Sequence, residues 1–287
     1  MKTGVFFHEM FRQKFWPVMG HKFKDFPQAM EKVLELSEAI LMEPKKVSNL
    51  LLYQVHEAQL VENLFKQDYA QGALYSVGGC VEAAEKVYKG ELKNALVFNV
   101  AAGHHAGYYN AWGGTYISST GPALANLQQK YEGVRAAIID TDSHHGDGTR
   151  EIFLGDRQVL HVCFCDLEVV EDLGTKVDVR VGKNMTDEEY LEKVRSEFFP
   201  RAREFGPEII IHLLGHDTHK DDYGPRGLSR EFFIDLVKEL KGLAEEVCSG
   251  KLVIITMGGS NRMVSKYIHP RILEMLANCF FVKINTA

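Results

Sequence analysis

The sequence predicts an α/β fold, a three-layer sandwich in which a central, mainly parallel sheet is flanked by helices. Three observations predict it. Continuously apolar runs recur along the chain, helix-like segments separate them, and four of the runs lead directly into polar or glycine-rich loops. Strands that are apolar at every position need cover on both faces, which parallel sheets receive from their crossover helices. In such folds functional groups collect just past the carboxyl ends of the strands.

The strand expectations, in order, are TGVFF (3–7), ALVFNV (95–100), VRAAIID (134–140), VLHVCF (159–164), EIIIHLL (208–214) and LVIITM (252–257). Three helices carry clear start signals. DFPQAMEKVLELSEAIL (25–41) opens with Asp25 and has Pro27 in its first turn. The segment 186–205 opens with Thr186 and has Glu189 three residues on, the spacing of a reciprocal cap. The segment 229–247 opens with Ser229. No linker or repeat divides the chain, so residues 1–287 read as one domain.

The composition is that of an ordinary water-soluble chain: 45% hydrophobic and 25% charged, with a net charge of -6 and no extended basic block. That balance argues against direct nucleic-acid binding. No run approaches the ~20 apolar residues of a spanning helix, and the N-terminus is too short in apolar residues for a signal peptide. A cytoplasmic protein without membrane contact is expected. The five cysteines (Cys80, Cys163, Cys165, Cys248, Cys279) form no CxxC pair. Cys163 and Cys165 share one face of a strand and read as small core residues in a reducing compartment, in preference to a zinc or redox site.

The loops carry the chemistry. After ALVFNV comes AAGHHAG, after VRAAII comes DTDSHHGDG, after EIIIHLL comes GHDTHKDDYG, and after LVIITM comes GGSN. Asp142 and His144, two apart on an extended segment, point the same way. With Asp217 from another strand end they make a one-imidazole, two-carboxylate set that can hold a divalent cation and leave positions open for water. Zinc, iron, cobalt and manganese all suit such ligands. The structural alternative is a hydrogen-bonded Asp/His network at a strand end. His104 and His105 can serve as a general base and acid beside such a site, and Asp140 and Asp147 are available to fix their tautomers. His161 and His212, inside apolar strands, read as satisfied core histidines. His216 and His219 flank Asp217 as supporting residues, and Asp221 and Asp222 as a solvated turn.

The motifs AAGHHAG, DTDSHHGDGTREIF, GHDTHKDDYGPRGLS and MGGSN, in that order, resemble the zinc-dependent histone deacetylase superfamily, which includes acetylpolyamine amidohydrolases and acetoin-utilization-type proteins. The likeness runs from about Gly103 to Gly259. Fainter echoes are GHKFKDFPQAMEKV, similar to the family's GHPERPxR segment without its Pro-Glu-Arg core, and LLYQVHEAQLVENL, similar to its VHSxEYL helix start. The resemblance implies the arginase/deacetylase sandwich and one divalent metal per chain, zinc first with iron, cobalt or manganese as alternatives. It implies Asp142, His144 and Asp217 as ligands and His104 and His105 as the catalytic pair, backed by Asp140 and Asp147 respectively. The implied reaction is attack of metal-activated water on an amide carbonyl of an acyl-lysine, acyl-polyamine or other small acylated amine.

Two departures qualify that expectation. The family's glycine-rich loop ends in a tyrosine that polarises the carbonyl, whereas this chain has Gly258-Gly259-Ser260. A missing oxyanion donor costs on the order of a hundred- to a thousand-fold in rate. Ser260 is too short to replace it except through a bridging water; Asn261, Tyr108, Tyr109 and Tyr223 are the other candidates. Where the family places Gly-Phe to wall its tunnel, this chain has Gly113-Gly114, which predicts a wider or reshaped channel. A catalytically weak, metal-containing binding or scaffold protein is therefore the second reading. A ureohydrolase is the third, disfavoured because the carboxylate after His144 falls at Asp147, three residues on instead of two.

Overall fold

In the computed structural model, residues 1–277 are described, and Cys279 lies outside them. Nine strands form one sheet: β1 (Lys2–Phe6), β2 (Ala39–Met42), β3 (Leu92–Val97), β4 (Ala136–Asp140), β5 (Val159–Cys165), β6 (Val169–Glu171), β7 (Lys176–Arg180), β8 (Ile209–Leu214) and β9 (Leu252–Thr256). Their order is β2-β1-β3-β9-β8-β4-β5-β7-β6. Every neighbouring pair is parallel except β6 with β7. The expected layered, mainly parallel architecture is thus the one observed.

The two faces are covered separately. Alternate residues of the central strands, such as Val97, Ile138, Ile211 and Val253, pack with Ala123, Leu124 and Leu127 of the helix Thr120–Lys130. Their neighbours Leu96, Ile139, Ile210 and Ile254 pack the other way, with Phe198, Phe232 and Ile272 of the helices Asp187–Phe205, Arg230–Cys248 and Arg262–Ala277. Each such side chain contributes roughly 1.5–3 kcal/mol by leaving water, which is why both registers of the strands are apolar.

The two capped helices form as their signals require. Thr186 Oγ1 accepts from Glu189 N–H at 3.2 Å while Glu189 Oε2 accepts from Thr186 N–H at 2.8 Å, and Gly206 closes the helix at φ 62°. Ser229 Oγ accepts from the N–H groups of Glu231 and Phe232. The expected helix over 25–41 does not form. Helical structure there is confined to Gln28–Met30 and Glu31–Leu34, and Asp25 is held by Arg262 at 2.6 Å. The apolar Ala39–Met42 instead pairs with β1 at the edge of the sheet. β6 and β7 were not among the expected strands. The former is three residues and exposed throughout, and the latter carries polar residues at alternate positions.

This topology assembles the loops. β3, β9, β8 and β4 are consecutive neighbours in the sheet and run the same way. The four polar loops therefore leave one end of four adjacent strands. His56, just past the helix Asn49–Val55, fastens the first of these loops from below. Its Nε2 accepts from Ser118 N–H at 3.0 Å, so its Nδ1 carries the proton and donates to Gly107 O at 2.7 Å.

Burial lowers the pKa of His56 to about 4, against an ordinary value of 6.5. As pH falls, the unfolded chain takes up this proton first, so the stability His56 contributes is complete above 6.5 and is lost towards 4. Between pH 7 and pH 5 wild type should therefore lose about 2 kcal/mol that His56→Gln does not lose. Urea unfolding of both proteins at the two pH values measures the difference. Equal losses would mean that His56 does not stay neutral in the fold.

Candidate functional site

Asp142 is the second residue beyond β4, and its carboxylate is received by the ends of β8 and β9, the next two strands on one side of the sheet. Gly258 N–H, just past β9, donates to Asp142 Oδ2 at 2.8 Å. A Cβ at Gly258 would stand 2.5 Å from the same oxygen, and one at Gly215, after β8, would collide with it. Glycine at both positions lets backbone approach the carboxylate directly. Asp217 sits in the short turn His216–Thr218 after β8, and its Oδ1 accepts from Ser143 N–H at 3.2 Å. His144 Nδ1 lies 3.1 Å from Asp142 Oδ1 and 3.0 Å from Asp217 Oδ2. The three ligand atoms fall within 4.8 Å of one another.

The electrostatics of this trio are those of a cation-binding set. Both carboxylates are buried, while the His144 side chain is 43% exposed. Burial opposes the charge of Asp142, but His104 and His144 outweigh it and hold the carboxyl well below its usual range. Burial and the charge of Asp142 push Asp217 up to about 7. Hydrogen bonds to Asp142 and Asp217 raise His144 to about 10. Asp217 Oδ2 is buried and, beyond the His144 ring, has no hydrogen-bond donor among the described residues. A buried carboxylate oxygen facing only an imidazole and a second carboxylate fits a divalent cation among these three residues.

His104 and His105 follow β3. Gly103, at φ 102°, is required there because a side chain would collide with Ser119. His104 Nδ1 lies 3.0 Å from Asp140 Oδ2, and its Nε2 lies 3.6 Å from Asp142 Oδ1. Burial alone would keep His104 neutral; Asp142 and Asp140 overcome that and raise it to about 9. His105 Nδ1 lies 2.6 Å from Asp147 Oδ1, and Trp112 Nε1 donates to Asp147 Oδ2 at 2.8 Å. Burial outweighs the Asp147 contact and lowers His105. The pairing of His104 with Asp140 and of His105 with Asp147 is the one expected from the sequence.

His104, His105, Asp142 and His144 line a cavity of about 240 Å³ together with Val18, Met19, Trp112, Tyr223 and Gly258. Of the two outcomes expected from the glycines, a wider or a reshaped channel, the wall shows the second. Gly113 and Gly114 have φ of 62° and 77°, and a Cβ on Gly114 would stand 2.6 Å from Val18 Cγ2. Val18 and Trp112 occupy the wall instead, the Trp112 ring 4.1 Å from that of His105. Val18 itself is held at φ 65°, a costly conformation for a β-branched residue.

The structure separates the candidates for the missing hydroxyl. Ser260 Oγ donates to Asp222 Oδ1 at 3.1 Å, away from the trio. Asn261 Oδ1 caps the helix Arg262–Ala277 by accepting from Met263 N–H, and its Nδ2 donates to Asp221 O. Tyr108 and Tyr109 are exposed and line a different cavity. Tyr223 faces the site: its Oη accepts from Gly259 N–H at 2.8 Å, and its ring lies 5.9 Å from that of His144. A Cβ at Gly258 would be 2.8 Å from this hydroxyl and 3.0 Å from Asp217 Cγ.

Other expectations change. Asp222 is no solvated turn: its side chain is buried and accepts from the N–H groups of Ser260 and Asn261, which locks the glycine loop. His212 Nε2 meets Thr141 Oγ1 at 2.8 Å, but neither nitrogen of His161 has a partner among the described residues, and nothing in the structure accounts for that. His216 is buried beneath Gly259, and His219 Nδ1 accepts from Asp221 N–H. Lys22 was missed altogether. It is buried, donates to Met257 O and Gly258 O, and burial lowers its pKa to about 8 against the pull of Asp142, Asp222 and Asp217. Nothing local in GHKFKDF distinguishes Lys22 from the surface Lys24.

Among the described residues no helix is long and apolar enough to cross a membrane. Comparison with known proteins agrees with the geometry. Residues 30–276 match the family described as the histone deacetylase domain. A probable deacetylase of Archaeoglobus fulgidus is 28% identical over 90% of this chain and 81% of that protein. Histone deacetylase 9 of Homo sapiens is 28% identical over 69% of this chain, which spans only 22% of that protein's length. The crystal structure of the HDA15 HD domain superposes with a TM-score of 0.84 at 20% identity, covering 97% of this chain and 90% of that one. With four strand ends converging on the Asp/His cluster and the domain match running through all of them, the chain belongs to the histone deacetylase family.

Proposed function

We propose that this chain is a metal-dependent amidohydrolase that removes an acyl group from a small acylated amine or an acylated lysine. The observation that carries this reading is the convergence of Asp142, His144 and Asp217 on one point beside two carboxylate-backed histidines. A divalent cation held by that trio supplies Lewis acidity, acidifying a water and polarising the amide carbonyl.

The protein's own groups do the remainder. His104 and His105 take a proton from the attacking water and deliver one to the leaving nitrogen, so the C–N bond breaks to give a carboxylate and a free amine. Asp140 and Asp147 keep the Nδ1 atoms occupied and leave the Nε2 atoms for this exchange. Tyr223 Oη already accepts from Gly259 N–H, so its own proton is free to donate towards the carbonyl oxygen. Val18, Met19, Trp112 and Tyr223 give the cavity apolar walls suited to an alkyl chain. Ser260, turned to Asp222, favours the second reading of a catalytically weak binder; the Tyr223 hydroxyl argues against it.

Elemental analysis of purified protein, Asp142→Ala and Asp217→Ala tests the metal. Each variant should hold about one divalent ion fewer than wild type. A wild type that takes up none after reconstitution ends the hydrolase proposal.

Steady-state kinetics on acetylated lysine peptides and acetylated polyamines test the hydroxyl. Tyr223→Phe should lower kcat roughly a hundred- to a thousand-fold, with KM and metal content unchanged. An unchanged kcat removes Tyr223 from the chemistry, and a wild type that binds these ligands without turnover selects the binding-protein reading.

A further inference from the structure

A second cluster of ligand-type side chains lies outside the cavity. It comprises His145, Cys163, Cys165 and Asp178, whose ligand atoms also fall within 4.8 Å of one another. The sheet builds it. Cys163 and Cys165 stand on one face of β5, and the β5–β7 register sets Asp178 opposite Cys163. His145 arrives from the loop after β4, the strand on the other side of β5. From sequence the two cysteines read as core residues; the imidazole and carboxylate that join them come from elements distant in the chain.

We propose that these four residues form a second metal site, one that takes a soft divalent cation of the zinc class and serves the fold instead of the reaction. Two thiols, an imidazole and a carboxylate are a zinc-type donor set, and structural zinc is held tetrahedrally by four such ligands. With zinc–ligand bonds near 2.0–2.3 Å, a tetrahedron has edges of about 3.6 Å from sulfur to nitrogen and about 3.3 Å from nitrogen to oxygen. Cys165 Sγ lies 3.6 Å from His145 Nδ1, and His145 Nδ1 lies 3.2 Å from Asp178 Oδ1.

Three further features point the same way. Asp178 Oδ1 is buried and makes no hydrogen bond, while Asp178 Oδ2 is held by Arg150 Nη1 at 2.7 Å, as a ligating carboxylate is held from outside. Backbone N–H groups of Gly146 and Leu167 point at Cys163 Sγ (3.3 Å) and Cys165 Sγ (3.5 Å), the support that thiolates need. A dication and the Arg150 guanidinium, which Asp178 shares with the half-exposed Glu171, would offset the charge of two thiolates and a carboxylate. His145, with a side chain 25% exposed, is the side from which an ion enters.

A Cys–His–Asp nucleophile is the competing use of these residues, and the geometry excludes it. A relay needs the thiol and the carboxylate on opposite ring nitrogens. Here both converge on Nδ1, as they would around a shared cation.

The test is titration of the reduced, metal-free protein with Co²⁺, read by metal content and by the near-ultraviolet thiolate-to-cobalt charge-transfer band. Wild type should take up about two ions per chain and show the band. Asp142→Ala should keep the band and lose about one ion, which separates this site from the one in the cavity. Cys165→Ser should lose the band and about one ion. If that variant does not fold by circular dichroism, His145→Gln and Asp178→Asn read the same loss through metal content. A wild type without the band, or a Cys165→Ser protein that keeps both ions, overturns the proposal.

Discussion

The constraint on which the rest of the structure depends is the burial of Asp140, Asp142 and Asp217 at one end of a parallel sheet. A lone carboxylate in so dry a place would be driven to its neutral form. The fold answers with directed donors: Gly258 N–H for Asp142, Ser143 N–H for Asp217, Asp142 N–H and His104 for Asp140. The donors come from three strand ends, those of β9, β4 and β3, so the same few oxygens tie these strand ends and the two backbone-close glycines together. Lys22 belongs to this balance, a buried amine under the glycine loop that feels the charges of Asp142, Asp222 and Asp217.

The same constraint raises His104 and His144: the charges of Asp142 and Asp140 overcome the burial of His104, and hydrogen bonds to Asp142 and Asp217 raise His144. A dication bound among the trio would cancel those charges and compete with the His144 proton for the same nitrogen, so both histidines would return towards their neutral forms as such a site filled. Metal affinity and protonation would then be one equilibrium, strongest where His144 is easiest to deprotonate.

Much of this was legible in the sequence, for reasons that can be located. Ile209–Leu214 and Leu252–Thr256 are apolar at nearly every position because both faces are covered, and that signal needs no tertiary information. Thr186 and Ser229 announce their helices through local hydrogen bonds. Asp142, His144, His104 and His105 were found because their spacing lies within single loops. What escaped depends on partners far along the chain. Ala39–Met42 reads as the end of a helix until β1 is there to pair with it. The wall closed by Val18 cannot be seen from Gly114, and the choice of Tyr223 over Ser260 turns on where Asp222 directs the glycine loop. Asp178 carries no motif at all; only the β5–β7 register gives it a role.

The loop Asp140–Gly148 then has a double duty. Asp142 and His144 turn towards the cavity and Asp140 backs its wall through His104, while the next residue, His145, turns to β5 and β7. Neighbouring residues in an extended segment point to opposite sides, so two adjacent histidines can serve two separate clusters without either backbone being strained. Gly146 permits this at the tightest point, where a Cβ would press on Asp140 Oδ2 at 2.5 Å while its N–H reaches Cys163 Sγ. The loop is therefore gripped from both sides: the carboxylates fix its inner edge against β8 and β9, and the thiol-imidazole cluster fixes its outer edge against β5 and β7. A segment held at alternate residues in this way has little freedom to rotate, and that rigidity is what keeps His144 aimed at two buried carboxylates.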